Sequence, residues 1–366
     1  MRQRANPHAP PARSVGHLAL RLAFVLAILA ATVVANTSAG DAATTVRVVN
    51  GRLLITGDNS RQDVTISTVS LATGSYLVEV NLEPTVVVEG VDAMTIRLRG
   101  DNDRVRIFDA GLPGDLVVDL GTGNDEFLVD NSEFRRNLTV NGSNQVEVVR
   151  IQRTIVDGRT NLRLRNGDDT VVVRGGEFGP FTVTPGGTGV NGFIVEGSPL
   201  FHRAANLRGG RHRDFFYLGQ ARFEGGVALW TGNGDDEVQL GQIRSAGLLA
   251  DLGSGNDELL GRGEVVDGRL TIRAGSGDDL VSLANGNNDD LLLQAGSGDD
   301  EVEFDGVFFG GNIDVRLDGG NDDLRLVGNG FTDGISKLNG GSGIDALAEI
   351  DWRFERSPVI IAFENQ

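Results

Sequence analysis

The turn AGSGDD stands twice in the chain, at residues 274–279 and 295–300, and alignment on its last residue uncovers a repeat through most of the molecule. Six copies end at Asp236, Asp257, Asp279, Asp300, Asp322 and Asp345, in steps of 21, 22, 21, 22 and 23 residues. The same ruler continues upstream through Asp214, Asn191, Asp169, Asn144, Asp125 and Asp103, with steps of 22 or 23 except for 25 and 19 on either side of Asn144. A fixed period of this length marks units that cannot each bury an apolar face alone and must stack on their neighbours.

Within a unit the residues alternate. Asp279 leads into Leu280-Val281-Ser282-Leu283, and the apolar positions Leu270 and Ile272, or Ile313, Val315 and Leu317, recur every second residue in a further segment. Alternation over four to six residues, bounded by Gly, Asn and Asp, reads as short strands, and nothing after residue 40 carries a helical period. Twenty-two residues at about 3.3 Å each trace roughly 70 Å, enough for two or three strands and the turns between them. The expected fold is all-β, a parallel β-helix (solenoid) of about 22-residue coils. With aromatics at 6% of the chain, the lumen is expected to hold Val, Leu and Ile, with little room for many rings.

The amino terminus is read separately. Arg2, Arg4, Arg13 and Arg21 precede the apolar run Leu22 to Ala35, which is followed by the small residues NTSAG. That order is the pattern of a secretory signal peptide. The expected organisation is a signal peptide at 1–39, a β-rich cap at 40–91, and the β-helix at 92–366 with RFERSPVIIAFENQ supplying a capping strand. Residues 1–40 contain four Arg and no Asp or Glu, so cleavage takes the net charge from −18 to −22. A secreted, periplasmic or cell-surface location follows, with no transmembrane segment after cleavage. Lys337 is the single lysine and the arginines are dispersed, which argues against nucleic acid as a partner. The chain has no Cys, so disulfides do not staple it.

A single GSGDD is most simply a glycine turn with a solvated carboxylate. Stacked coils change the electrostatics, because carboxylates about 4.8 Å apart repel by roughly 3.5 kcal/mol per pair at an effective dielectric of 20. A divalent cation between turns removes that repulsion, and hard oxygen donors favour Ca²⁺ over zinc or copper. The candidate metal residues are Asp125, Asp235, Asp236, Asp257, Asp278, Asp279, Asp299, Asp300, Asp322 and Asp345.

The turn also resembles a known repeat. Residues 340–348, GGSGIDALA, fit the nonapeptide G-G-x-G-x-D-x-U-x of the RTX, or haemolysin-type, calcium-binding repeats in full. The copies ending at Asp125, Asp236, Asp257, Asp279 and Asp300 fit except that Leu120, Thr231, Leu252, Ala274 and Ala295 replace the first glycine. The opening NGRLLITGDNSRQDVTIS is similar to the start of exported bacterial proteins with degenerate repeats of this kind. The resemblance implies calcium held by turn carbonyls and by the aspartate at the sixth motif position. It departs from the family in having one turn per coil of about 22 residues, where the nonapeptides run in tandem.

No catalytic constellation stands out, and an enzyme is the less favoured reading. His202 and His212 are the histidines beyond the leader, and no nucleophile elbow, zinc helix or phosphate-cradling loop is present. The arginines of RLRGDNDRVR and GRTNLRLR, with Trp230 and Trp352, are the residues that a glycan surface would use. The expectation is an exported calcium-binding protein with a structural or adhesive role at the cell surface or in the matrix. The alternative is a polysaccharide lyase, hydrolase or glycan-binding module on a β-helix scaffold, with extracellular polysaccharide or cell-surface components as partners.

Overall fold

A computed structural model describes residues 35–36, 44–81 and 84–364, which form strands and turns without any helix. The chain winds as a parallel β-solenoid, and a single coil shows why. From Leu270 the strand alternates Leu270 and Ile272 inward, then breaks at the glycine-rich turn 274–279. Leu280–Ala284 forms the next side, with Val281 and Leu283 inward. A corner at Asn285-Gly286 leads to a third, short side at Asn287-Asn288, and the following coil begins at Leu291. Each side pairs in register with its equivalent one coil on: Val281 with Val302, Leu291 with Ile313, and Asn288 with Phe309.

Parallel pairing carries the side that follows the acidic turn through a 15-stranded sheet. It runs from Asp63–Ser70 and Arg104–Phe108 to Ala346–Glu349, and Ser75–Val80 and Val86–Val88 extend its amino-terminal edge antiparallel. The other two sides form the remaining ladders, ending at Arg353–Phe354 and Val359–Ile361.

Both ends refine the expected organisation. The segment 40–91 is β-rich where it is described, and it is already part of the winding: Arg52–Thr56 pairs parallel with Ala93–Arg97, and Asp63–Ser70 pairs parallel with Arg104–Phe108. What closes this end is antiparallel, the hairpin Thr45–Val49 with Arg52–Thr56 and the strands Ser75–Val80 and Val86–Val88. The carboxy-terminal strands add to the ladders in parallel, as one more partial coil. The signal peptide read at 1–39 lies outside the described residues except for Ala35–Asn36. Among the described residues, no helix is long and apolar enough to cross a membrane.

The core is a set of stacked columns. Val238, Leu259, Val281, Val302 and Leu324 follow one another up the axis, all essentially inaccessible. Each such side chain contributes about 1.5–3 kcal/mol by leaving water. Rings are not kept out, contrary to the expectation from composition. Phe178, Phe201 and Phe223 stack with centroids 5.3 and 4.7 Å apart, and Phe193 lies on Phe216 at 4.6 Å. In-register stacking offsets one ring from the next by about one strand spacing, a distance aromatic pairs favour.

A further correction concerns the irregular steps at Asn144. The residue that pairs with Asp125 is Glu147, three positions later, and Asn144 is exposed in the turn. Counting through Glu147 restores steps of 22 on both sides, from Asp125 and to Asp169.

Candidate functional site: an acidic edge in two tiers

The acidic turns stack along one edge of the solenoid. Gly277 takes φ +124°, and a Cβ there would stand 2.1 Å from the carbonyl oxygen of Gly255 in the preceding turn. Only glycine lets successive turns approach so closely. The turns are joined by backbone bonds, such as Gly277 N–H to Ser297 O at 2.8 Å and Gly298 N–H to Gly319 O at 2.9 Å.

The last residue of each turn forms an inner tier. Asp279 shares the parity of Val281 and Leu283, so its side chain points inward with theirs. Its Oδ1 accepts the backbone N–H of Asp257 one coil earlier at 2.8 Å, while the Asp279 N–H donates to Oδ1 of Asp300 at 2.9 Å. The pattern recurs: Asp236 N–H to Asp257 at 2.7 Å, Asp300 N–H to Asp322 at 2.8 Å, Asp322 N–H to Asp345 at 3.1 Å, and Asp103 N–H to Asp125 at 2.8 Å. Glu364 ends the ladder, its Oε2 accepting the Asp345 N–H at 2.8 Å.

The residue before it forms an outer tier running the opposite way. Asp235 Oδ1 accepts the N–H of Asn256 in the following coil at 2.9 Å, Asp278 accepts that of Asp299 at 2.9 Å, and Asp299 accepts that of Asn321 at 2.7 Å. Asp235, Asp278 and Asp299 are exposed. The ten candidate residues therefore divide: Asp125, Asp236, Asp257, Asp279, Asp300, Asp322 and Asp345 stand inside the backbone, and the other three outside it.

The inner tier is electrostatically unusual. Its seven candidate aspartates are at most 3% exposed, and in each of them Oδ2 is buried without a hydrogen-bond partner. Where the residue five positions earlier is glycine, the surroundings of Oδ2 are plain. A Cβ on Gly340 would lie 2.7 Å from Oδ2 of Asp345; at Asp214, where a Cβ on Gly209 would lie 2.3 Å from Oδ2, that oxygen does have a partner, the Gly210 N–H. Other coils place the buried side chains of Leu252, Ala274, Ala295 and Leu317 at that position. Burial pushes the carboxyls of Asp279 and Asp322 up to about 6 and those of Asp125, Asp236 and Asp300 to about 7. Asp257, buried between the charges of Asp236 and Asp279, is pushed to about 8.

Some members of the column escape the nonapeptide pattern. Asp103, Asp169 and Asp214 lie on the 22-residue ruler but not in the motif, and Glu147 was hidden by the misplaced count at Asn144. Asp169 is pushed to about 9 by burial and by its contact with Glu147. One further acid had no periodic signal at all. Glu264 is fully buried in a corner, where Nδ2 of Asn288 donates to its Oε1 at 3.2 Å and its Oε2 is unpartnered.

Two conditions decide whether the edge suits a cation. The orphaned inner oxygens and the exposed outer carboxylates are the hard donors calcium takes. Against that, among the described residues no three acidic or histidine side chains gather at one point, so an ion there would need turn carbonyls or water to complete its shell.

Stacked three-sided coils with an in-register column of carboxylates define a parallel β-solenoid repeat protein. No family model, curated protein or solved structure matches the chain.

Proposed function

We propose that this is an exported repeat protein with a structural or adhesive role at the cell surface or in the extracellular matrix, its acidic edge neutralised by calcium. The observation that supports the reading most directly is the row of buried, unpartnered Oδ2 atoms, repeated from Asp236 through Asp257, Asp279, Asp300 and Asp322 to Asp345. Buried ionised carboxylates are costly without a counter-charge. A bound divalent cation supplies that charge, and the residues that would hold it are the ten aspartates of the two tiers. About twelve coils at 4.8 Å make a rod of roughly 58 Å, a form suited to a spacer or scaffold.

Thermal unfolding by circular dichroism at pH 7.5, with calcium and then with a chelator, tests this. A ligand of the folded state raises the melting temperature. The expected outcome is a calcium-specific rise that is absent from the variant Asp278→Asn/Asp279→Asn/Asp299→Asn/Asp300→Asn. Equal melting in calcium, magnesium and chelator sinks the calcium reading and leaves the turns as glycine turns that close each coil.

A glycan surface is the second reading, favoured by one side of the solenoid. There Arg208 lies over the Trp230 ring at 4.5 Å, and a shallow depression of about 400 Å³ is lined by Arg269, Asp314, Arg316 and Lys337 among others. Retention of the protein on an immobilised acidic polysaccharide, reduced in Arg208→Ala and Arg316→Ala, would carry it. Passage without delay would exclude it for the polymers tried.

A further inference from the structure

We infer that the outward face of the 15-stranded sheet is a self-docking surface, on which a second copy of this chain lies with its solenoid axis antiparallel. The sheet alternates inward and outward residues, and its outward middle column ought to be polar if it faced only water. It is apolar at the centre: Val172 is 8% exposed, Ile194 and Tyr217 are half-buried, and the three are stacked neighbours. Among the described residues no second layer covers this face.

The arrangement of charge selects the occupant. Consider a two-fold axis parallel to the strands, midway between Gly192–Glu196 and Phe215–Gly219. It sets each strand against one of the partner copy while keeping the position along the strand. Ile194 then meets the Tyr217 position of the second copy, and Phe215 meets Gly192, a ring over a residue without a side chain. Four coils from the axis, Arg104 meets Glu301 and Arg106 meets Glu303, adding a cross-copy partner to charges that within one chain already face Glu126, Asp63 and Arg325. Every pair is made twice by symmetry. Between these ends no like charges face each other, since Glu126 is set against Leu280 and Asp130 against Ala284. The same charges in the parallel arrangement would oppose the Glu301–Asp305 strand, with three acids, to itself.

The area is adequate. Ten strands at about 4.8 Å, each about five residues at 3.3 Å, cover roughly 790 Å² per copy, or about 1,600 Å² in all, the size of a standard stable interface. The apolar centre supplies the attraction and the charged ends set the register, a division of roles common at protein interfaces.

Sedimentation velocity of the protein between about 1 and 100 μM tests the proposal. The expected result is a concentration-dependent dimer. Ile194→Lys should abolish it, and Glu301→Arg/Glu303→Arg should raise the dissociation constant by at least about tenfold by setting Arg against Arg. Adding Arg104→Glu/Arg106→Glu to the latter should restore association, because the swap recreates both pairs with reversed sign. Circular dichroism melts of each variant separate lost docking from lost folding. A wild-type chain that stays monomeric over the whole range overturns the inference. So does a dimer that none of these substitutions weakens, and a four-site swap that fails to recover the dimer while folded overturns the antiparallel register.

Discussion

The carboxy-terminal coils and the middle coils solve the same stacking problem with different residues. From Asp236 to Asp322 the turns are nearly uniform, and aliphatic and alanine side chains such as Leu259, Ala274 and Leu293 fill most of the lumen, interrupted by the edge-to-face pair Phe304 and Phe309. Between Asn144 and Asp214 the turns lose their pattern, and from Phe178 to Phe223 the lumen adds the rings of Phe178, Phe181, Phe193, Phe201, Phe216 and Phe223 to aliphatic residues such as Val183 and Leu207. The inner ladder nevertheless continues through the middle: Asn191 Oδ1 accepts the Asp169 N–H at 3.4 Å, and Asp214 accepts the Asn191 N–H at 2.7 Å. What most coils place at that position is a hydrogen-bond acceptor for the backbone of the coil before; Glu147 is the exception, its Oε1 accepting from Ser143 while the Asp125 N–H donates to the carbonyl oxygen of Val146. A carboxylate charge is a second property, present in the regular coils and dispensable at Asn191.

The strongest way to break the comparison is to remove a ring from the middle. Phe201→Ala leaves a cavity between Phe178 and Phe223 and should destabilise the protein by about 3–5 kcal/mol in urea unfolding. A loss under about 1 kcal/mol would mean that the rings are not what holds the middle together. Next comes the ladder itself. Asp257→Ala and Asn191→Ala each orphan a buried backbone N–H, and each should cost about 1–3 kcal/mol. If Asp257→Ala costs as much in chelator as Asn191→Ala, the hydrogen bond is the shared element. Asp257→Asn keeps the acceptor and should cost less than either.

The pH dependence isolates the charge. Burial raises Asp125, Asp236, Asp257, Asp279, Asp300 and Asp322 to about 6 to 8 in the folded chain, above their ordinary value of 3.8. The folded state therefore holds protons that the unfolded chain releases, and stability falls as pH rises from about 4 through 8. In chelator the wild type should melt higher at pH 5 than at pH 8, opposite to ordinary acid denaturation, and saturating calcium should narrow the difference. A melting temperature that rises with pH in chelator would show that the inner tier is not protonated on folding. The smallest effect is expected outside. Asn256→Ala removes an acceptor from the exposed outer ladder and should change stability by about 0.5 kcal/mol.

Much of the fold was legible because a solenoid writes its geometry along the chain. The spacing of the GSGDD turns measures one coil, and the alternation at Leu280–Leu283 names a strand and its inward residues. The same alternation contained the burial of Asp279, which is in phase with Val281 and Leu283. The turn motif drew attention instead to the carboxylate as a surface ligand. Glu147 was hidden for a related reason, since the acid sits at the end of a turn whose internal residues vary.

The 22-residue period, the strand parity and the glycine turns are local properties of sequence, and these by themselves determined an all-β parallel solenoid. Only the stacked structure decided that the Oδ1 of each inner aspartate is bound to the backbone of the neighbouring coil and the Oδ2 of the seven motif aspartates left alone, that rings form a column in the middle, and that three apolar side chains stack at the centre of one outer face. These depend on which residues fall side by side 22 positions apart, a relation created by winding and absent from any single stretch of chain.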